Sequence, residues 1–227
     1  MTLQEAIIAR HSVRQYIDKP IEAEKIQQLQ TLIDTCNATG KVHLQLVIDE
    51  PKAFTSGLAT YGKFQNVTNY IAVVAPKGKS GDEWGGYYGE HVVLFAQTLG
   101  LNTVWVGLTF KNVKQAYTIE AGEELKAVIA LGYGATQGNQ HPQKKKFADV
   151  AKAAEPIPAW FKQGIEAALL APTALHQQKF EFTLHPDNIV EARALFALNS
   201  YAHIDLGIVK YHFELVAGKE NFNWKNK

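Results

Sequence analysis

A helix-and-strand pattern is written twice in this chain, and that repetition limits the folds open to it. Pro20 and Pro156 each lead an apolar-periodic stretch, and a shift of 136 residues (20 onto 156) superposes the two without a gap. Ile21 then falls on Ile157, Ala23 on Ala159, Leu29 on Ile165 and Ile33 on Leu169. Further along, Leu46 meets Phe182 and Ile48 meets Leu184, in segments that alternate apolar with polar. A leading proline with apolar residues at helical spacing predicts an amphipathic helix, and alternation predicts a half-buried strand. After a deletion the match resumes with His91 opposite His203, at a shift of 112. Helix–strand units also resemble one another through shared periodicity alone, which is the competing account. A true duplication implies an α+β chain of two pseudo-symmetric halves, each a sheet flanked by helices.

The remaining pattern fills in the elements. Leu3 to Ala9 is a short amphipathic helix, and Ile26 to Cys36 a longer one stopped near Gly40. His43 to Asp49 reads as a strand, and Pro51 to Gly62 as holding a short helix. Tyr70 to Ala75 and Thr103 to Leu108 are apolar, β-branched runs, hence buried strands. Ala127 to Tyr133 is another strand. Lys77 to Gly86 reads as loop, Glu90 to Leu99 as helix, and Lys111 to Tyr117 and Ala121 to Lys126 as helical turns. In the second copy, helix runs to Leu170, Phe180 to His185 is a strand, and Ile189 to Phe196 and Ile204 to Ala217 are helices. From Gly218 the tail is polar apart from Phe222 and Trp224.

Composition excludes several classes. A chain of 227 residues with 46% apolar and 20% charged residues is ordinary for a globular protein. Its net charge of +1 offers no global field for nucleic acid or anionic lipid, and Lys144-Lys145-Lys146 is too short to change that. Cys36 is the only cysteine, so no internal disulfide forms, which fits a reducing cytosol. No stretch approaches the ~20 apolar residues that span a bilayer, and Glu5 and Arg10 interrupt any signal-like run. A cytoplasmic protein without membrane or nucleic-acid partners is expected. The histidines show no ligand spacing, so no metal is expected. No Gly-x-Gly-x-x-Gly follows a strand, which argues against a Rossmann nucleotide site.

Chemistry concentrates in two places. Arg10-His11-Ser12-Val13-Arg14, closed by Tyr16, sets two guanidiniums, a hydroxyl and an imidazole directly after the first helix. Arginine offers a rigid donor fork that matches phosphate oxygens, while a solvated basic helix end accounts for the same run. With Asp18-Lys19-Pro20 behind it, this stretch resembles the N-terminal signature of the FMN-dependent nitroreductase family, Arg-x-Ser-x-Arg and an aromatic before a Pro-led helix. Ala171-Pro172-Thr173-Ala174-Leu175-His176-Gln177-Gln178-Lys179-Phe180 resembles the family's Ala-Pro-Ser-x-x-Asn-x-Gln-Pro-Trp stretch. In the family a single helix separates the two; here more than 150 residues do.

The resemblance implies an α/β/α sandwich and an FMN site at a dimer interface, one subunit giving the basic motif and the other the Pro-Ser stretch. The first copy here has only Cys36-Asn37 opposite Pro172-Thr173, and no Arg-x-Ser-x-Arg precedes Pro156. A fused pseudo-dimer follows, with halves 1–150 and 151–227 forming one compact unit, one site complete and its twin decayed. A monomer, or a weak homodimer, is expected.

Residue by residue, the resemblance gives Arg10, His11 and Ser12 to the phosphate, with Lys144 or Lys145. Lys145 lies best in register with the family's basic element; a solvated loop is the other reading of that run. Arg14 serves the phosphate or the ring's N1/O2 edge, where a cation stabilises charge as it develops. Lys63 is a second candidate for that edge, or simply an exposed lysine. Pro172, Thr173 and Ala174 line the ring, and His176 replaces the family's Asn beside it with one donor and one acceptor. Gly107 and Leu108 resemble the strand end whose backbone N–H reaches flavin N5, and Trp84, Tyr87 and Tyr88 could cover the ring. The implied activity is an FMN-dependent oxidoreductase that takes hydride from NADH or NADPH at N5 and passes electrons to a small quinone- or nitroaromatic-like acceptor. A flavin dehydrogenase or dehalogenase for one metabolite, and a non-catalytic flavin-binding protein, are the alternatives.

Overall fold

Thr2 opens the first helix, α1 (Leu3–Ala9), with a reciprocal cap. Its hydroxyl accepts from the Glu5 N–H, and the Glu5 carboxylate accepts from the Thr2 N–H. The computed structural model describes residues 1–55, 61–139, 144–197 and 201–225. After α1 come α2 (Ala23–Thr39), β1 (His43–Val47), β2 (Asn69–Pro76), α3 (Lys79–Thr98), β3 (Asn102–Val106) and β4 (Glu123–Gly132). The four strands form an antiparallel sheet in the order β1-β2-β4-β3. Strand β2 is buried on both faces, which is why its sequence is an apolar run and not an alternation. Tyr70, Ala72 and Val74 face a core with Val13, Tyr16 and Phe54, while Ile71, Val73 and Ala75 face α2 and α3 through Leu29, Ile33, Val92 and Val93.

The chain then crosses to a second sheet. Helix α4 (Phe147–Val150) leads into β5 (Ala151–Lys152), followed by α5 (Ala159–Leu170), β6 (Phe180–His185), β7 (Ile189–Ala194), α6 (Ala202–Ala217) and β8 (Asn223–Trp224). The order is β5-β6-β7-β8, with only the β6–β7 pair antiparallel. Phe180, Phe182 and Val190 pack against Phe161 of α5 and Phe213 of α6. Order α2–β1–β2–α3 in the first part and α5–β6–β7–α6 in the second match, each with an antiparallel pair between two helices.

Helices α3 and α6 pack closely along the centre of the molecule. A Cβ at Gly86 would come within 2.0 Å of the Ile204 carbonyl oxygen, and one at Gly207 within 2.0 Å of that of Glu83. Between the helices Glu90 is fully buried; its Oε1 meets His212 Nε2 at 2.8 Å and its Oε2 accepts from Trp105 Nε1 at 2.8 Å.

Several expectations change. Ile189–Ala194 is a strand, not a helix: Val190 and Ala192 face the core while Glu191 and Arg193 pair across the outer face with His185 and Glu181. Residues 79–86, expected as loop, are helix, and Gly86 among them permits the close contact with α6. The segment 111–117 forms turns, and Glu123–Lys126 belongs to β4. Phe222 and Trp224, the apolar exceptions of the polar tail, are part of the aromatic core around Phe213. Pro51–Phe54 is a short 3-10 helix, and residues 56–60 of the stretch expected to hold a helix, Pro51 to Gly62, lie outside the described residues.

Candidate functional site

The basic motif leaves α1 in extended form and runs along the edge of the first sheet. Ser12 bridges Thr103 in parallel, and the Val13 N–H donates to the Thr103 carbonyl at 3.1 Å. Tyr16 bridges Gly134, its hydroxyl donating to the Val13 carbonyl at 2.8 Å. Val13 and Tyr16 are thereby buried, and Ser12 and Arg14, at alternate positions, line a cleft. Arg10 is different. It is only 8% exposed, its Nε has no hydrogen-bond partner, and Glu90 Oε1 lies 4.0 Å away. Burial lowers its pKa and the Glu90 carboxylate opposes that shift.

The second motif follows α5. Pro172 and Thr173 run extended into a single 3-10 turn, Ala174–His176, with left-handed backbone at Leu175 (φ 53), His176 (φ 51) and Gln178 (φ 50). Thr173 Oγ1 accepts from the Gln178 N–H at 3.1 Å, and Gln178 Nε2 donates to the Leu169 carbonyl at 2.9 Å. The Ala174 N–H lies 3.0 Å from both carboxylate oxygens of Asp205, in the first turn of α6. Asp205 is 5% exposed, and desolvation pushes its pKa from 3.8 up to about 7, against the pull of that N–H.

The motifs meet. One cavity, of about 450 Å³, is lined by Arg10, His11, Ser12, Arg14 and Lys144 on one side and by Pro172, Thr173 and His176 on the other. A second, of about 340 Å³, adjoins it through Ser12, Arg14, Pro172, Thr173 and Leu175. Val104 to Leu108, Ala127, Ala174, Ile204 and Ile208 give it a largely apolar wall, and Ser12, Arg14, Thr109, Thr173, Tyr201 and Asp205 are its polar residues. Together they offer a basic end suited to a phosphate and a largely apolar end suited to a ring.

Eleven of the expected residues line this cleft: Arg10, His11, Ser12, Arg14, Gly107, Leu108, Lys144, Pro172, Thr173, Ala174 and His176. His176, expected beside the ring, lines the basic end; across the left-handed turn at Leu175 and His176, Ala174 lines the apolar end and Leu175 both. Lys63 lines neither cavity and is exposed on a turn; Lys145 lines neither, its neighbour Lys144 taking the wall. At Gly107 the close backbone approach is to the Tyr201 ring, 2.4 Å from where a Cβ would stand. Trp84, Tyr87 and Tyr88 sit in α3, and the two tyrosines line another cavity, with Cys36, His91 and Tyr211. Sequence reasoning missed Asn139, Trp105, Tyr201 and Asp205, which carry no motif of their own.

The family model described as "Putative TM nitroreductase" matches residues 2–217. The chain belongs to the nitroreductase family. Membership makes it a nitroreductase-family oxidoreductase. Among solved structures it is similar to a nitroreductase of Thermotoga maritima at 21% identity, with a TM-score of 0.67 over 95% of this chain and 83% of that one. A Desulfovibrio desulfuricans nitroreductase solved in complex with FMN matches at 21% identity and a TM-score of 0.51, covering 70% of this chain and 99% of its own. An FMN-dependent nitroreductase of Clostridium difficile matches at 18% identity and 0.51, covering 64% and 96%. These likenesses show a shared nitroreductase-like fold. No curated protein matches the chain. Among the described residues no helix is long and apolar enough to cross a membrane.

Proposed function

We propose that this nitroreductase-family chain binds one FMN in the cleft and works as an NAD(P)H oxidoreductase. Electrons would go to a small quinone- or nitroaromatic-like acceptor. The observation that carries the reading is the meeting of Arg10, Ser12, Arg14 and Lys144 with Pro172, Thr173 and His176 around one cavity. The residues present fit the cofactor. Arg10 holds a buried Nε without a partner, a donor that a phosphate oxygen would satisfy. Ser12, His11 and Lys144 supply further donors at the same end, and the wall from Val104 to Leu108 opposite Ala174 gives the ring an apolar slot.

FMN, when bound, supplies hydride acceptance and electron transfer. The chain's part is to bind, orient and tune. Arg14 lines both cavities, so its guanidinium stands where it can favour negative charge at the ring edge. Pro172, Thr173 and Leu175 cover the junction, and Tyr201, Ile204 and Ile208 limit water at the ring end.

The two walls come from distant parts of the chain, so residues 1–150 and 151–227 act in this proposal as the halves of a fused pseudo-dimer. The matching order α2–β1–β2–α3 and α5–β6–β7–α6 supports it. Purification tests the whole reading. A yellow protein bleached by NADH or NADPH and recoloured by a quinone is the expected result. Colourless protein that takes up no added FMN would end it, and colour that NAD(P)H never bleaches would leave a flavin-binding protein without this activity.

A further inference from the structure

We propose that Asp205 is the proton site of the apolar cavity, taking one proton from solvent when that cavity gains a negative charge and releasing it when the charge leaves. The proposal rests on the flavin reading above. Asp205 walls the apolar cavity beside Tyr201 and Ile204, nearly out of reach of water. Both carboxylate oxygens lie 3.0 Å from one donor, the Ala174 N–H, and among the described residues no cation pairs with the carboxylate. Two oxygens facing one N–H leave lone pairs free for a proton. The ionisable groups on the elements around it are Arg14 on the same cavity wall, Tyr201 at the N-cap and His203 in the first turn of its own helix, and His176 on the loop it holds. The Glu83–Lys210 pair lies at the contact with α3. Because burial places the titration of Asp205 close to neutrality, a modest change of charge nearby is enough to load or unload it.

The balance closes with the reactants already named. A hydride from the reduced nicotinamide brings two electrons and one proton and leaves the cavity one negative charge richer. The compensating proton comes from solvent and ends on an Asp205 oxygen. A quinone-like acceptor needs two electrons and two protons to become a quinol; the hydride accounts for one proton and Asp205 for the other. The carboxylate is then ionised again.

The test uses the FMN-loaded protein, wild type and Asp205→Asn, which keeps an oxygen to accept from the Ala174 N–H. The flavin midpoint potential is followed against pH from neutrality upward. Wild type should show a slope about twice that of the variant, one extra proton accompanying the two electrons. A reduced-minus-oxidised infrared difference spectrum of wild type alone should show a carboxylic acid C=O band appearing on reduction. This second measurement stands even if the variant folds poorly. Equal slopes, or no such band, overturn the role of Asp205 and leave the flavin reading intact. A protein that takes up no FMN overturns the flavin reading, and this proposal with it.

Discussion

Arg10 is a cation that the fold has taken out of water and left one donor short. A charge-assisted hydrogen bond to phosphate contributes roughly 1.5–3 kcal/mol, so Arg10→Ala is expected to weaken FMN binding about tenfold to a hundredfold. Fluorescence titration of the apoprotein measures this, and unchanged affinity would return the motif to a basic helix end. Asp205 makes a prediction about stability. Its pKa is raised on folding, from 3.8 to about 7, so the folded chain holds that proton more tightly than the unfolded one. The contribution is complete below about pH 4 and is lost as pH rises through 7. Asp205→Asn should therefore be more stable than wild type at about pH 8, by up to an order of 4 kcal/mol, with the gap closing towards pH 4. Urea unfolding across that range decides it; a gap independent of pH would contradict the buried titration. The arginines and Pro172-Thr173 were legible in the sequence because each stands in a motif. Asp205 was not, because an Asp in the first turn of a helix is ordinary until its burial is known.

Element by element, the legible parts are those where one face meets one environment. Strand β2 and helices α2, α5 and α6 declared themselves through apolar runs or periodicity. Strand β7 did not, since Glu191, Ala192, Arg193 and Ala194 favour helix intrinsically and only pairing with β6 imposes the extended form. The first turns of α3 were hidden for the opposite reason. Glycine disfavours helix, yet Gly86 faces the backbone of α6 and Gly207 the backbone of α3, so both are needed for contact. Gly207→Ala should therefore destabilise the protein by about 1–3 kcal/mol or more, because a carbonyl 2.0 Å from the new Cβ cannot move aside as a side chain end could. Thermal melts measure the loss, and a neutral substitution would mean the helices can separate without penalty.

For the whole molecule, the fused-site proposal sets a stoichiometry. One FMN per chain is expected, retained by a monomer on dilution, with light scattering giving the mass and flavin absorbance the ratio. Two flavins per chain, or binding that vanishes with dissociation of a dimer, would contradict it. The sequence by itself determined the mixed helix and strand content, the repeated helix–strand order and the two motifs that carry the family resemblance. These are local: periodicity and residue type record what each short stretch meets. The family resemblance already implied that Arg10 and Thr173 share one site; only the tertiary structure decided that Lys144 stands there and Lys63 and Lys145 do not, and that Asp205 is buried against Ala174. Those facts depend on how α3 packs on α6 and draws segments more than 150 residues apart together. Contact between distant stretches is set by the summed packing of the core, which no local pattern records.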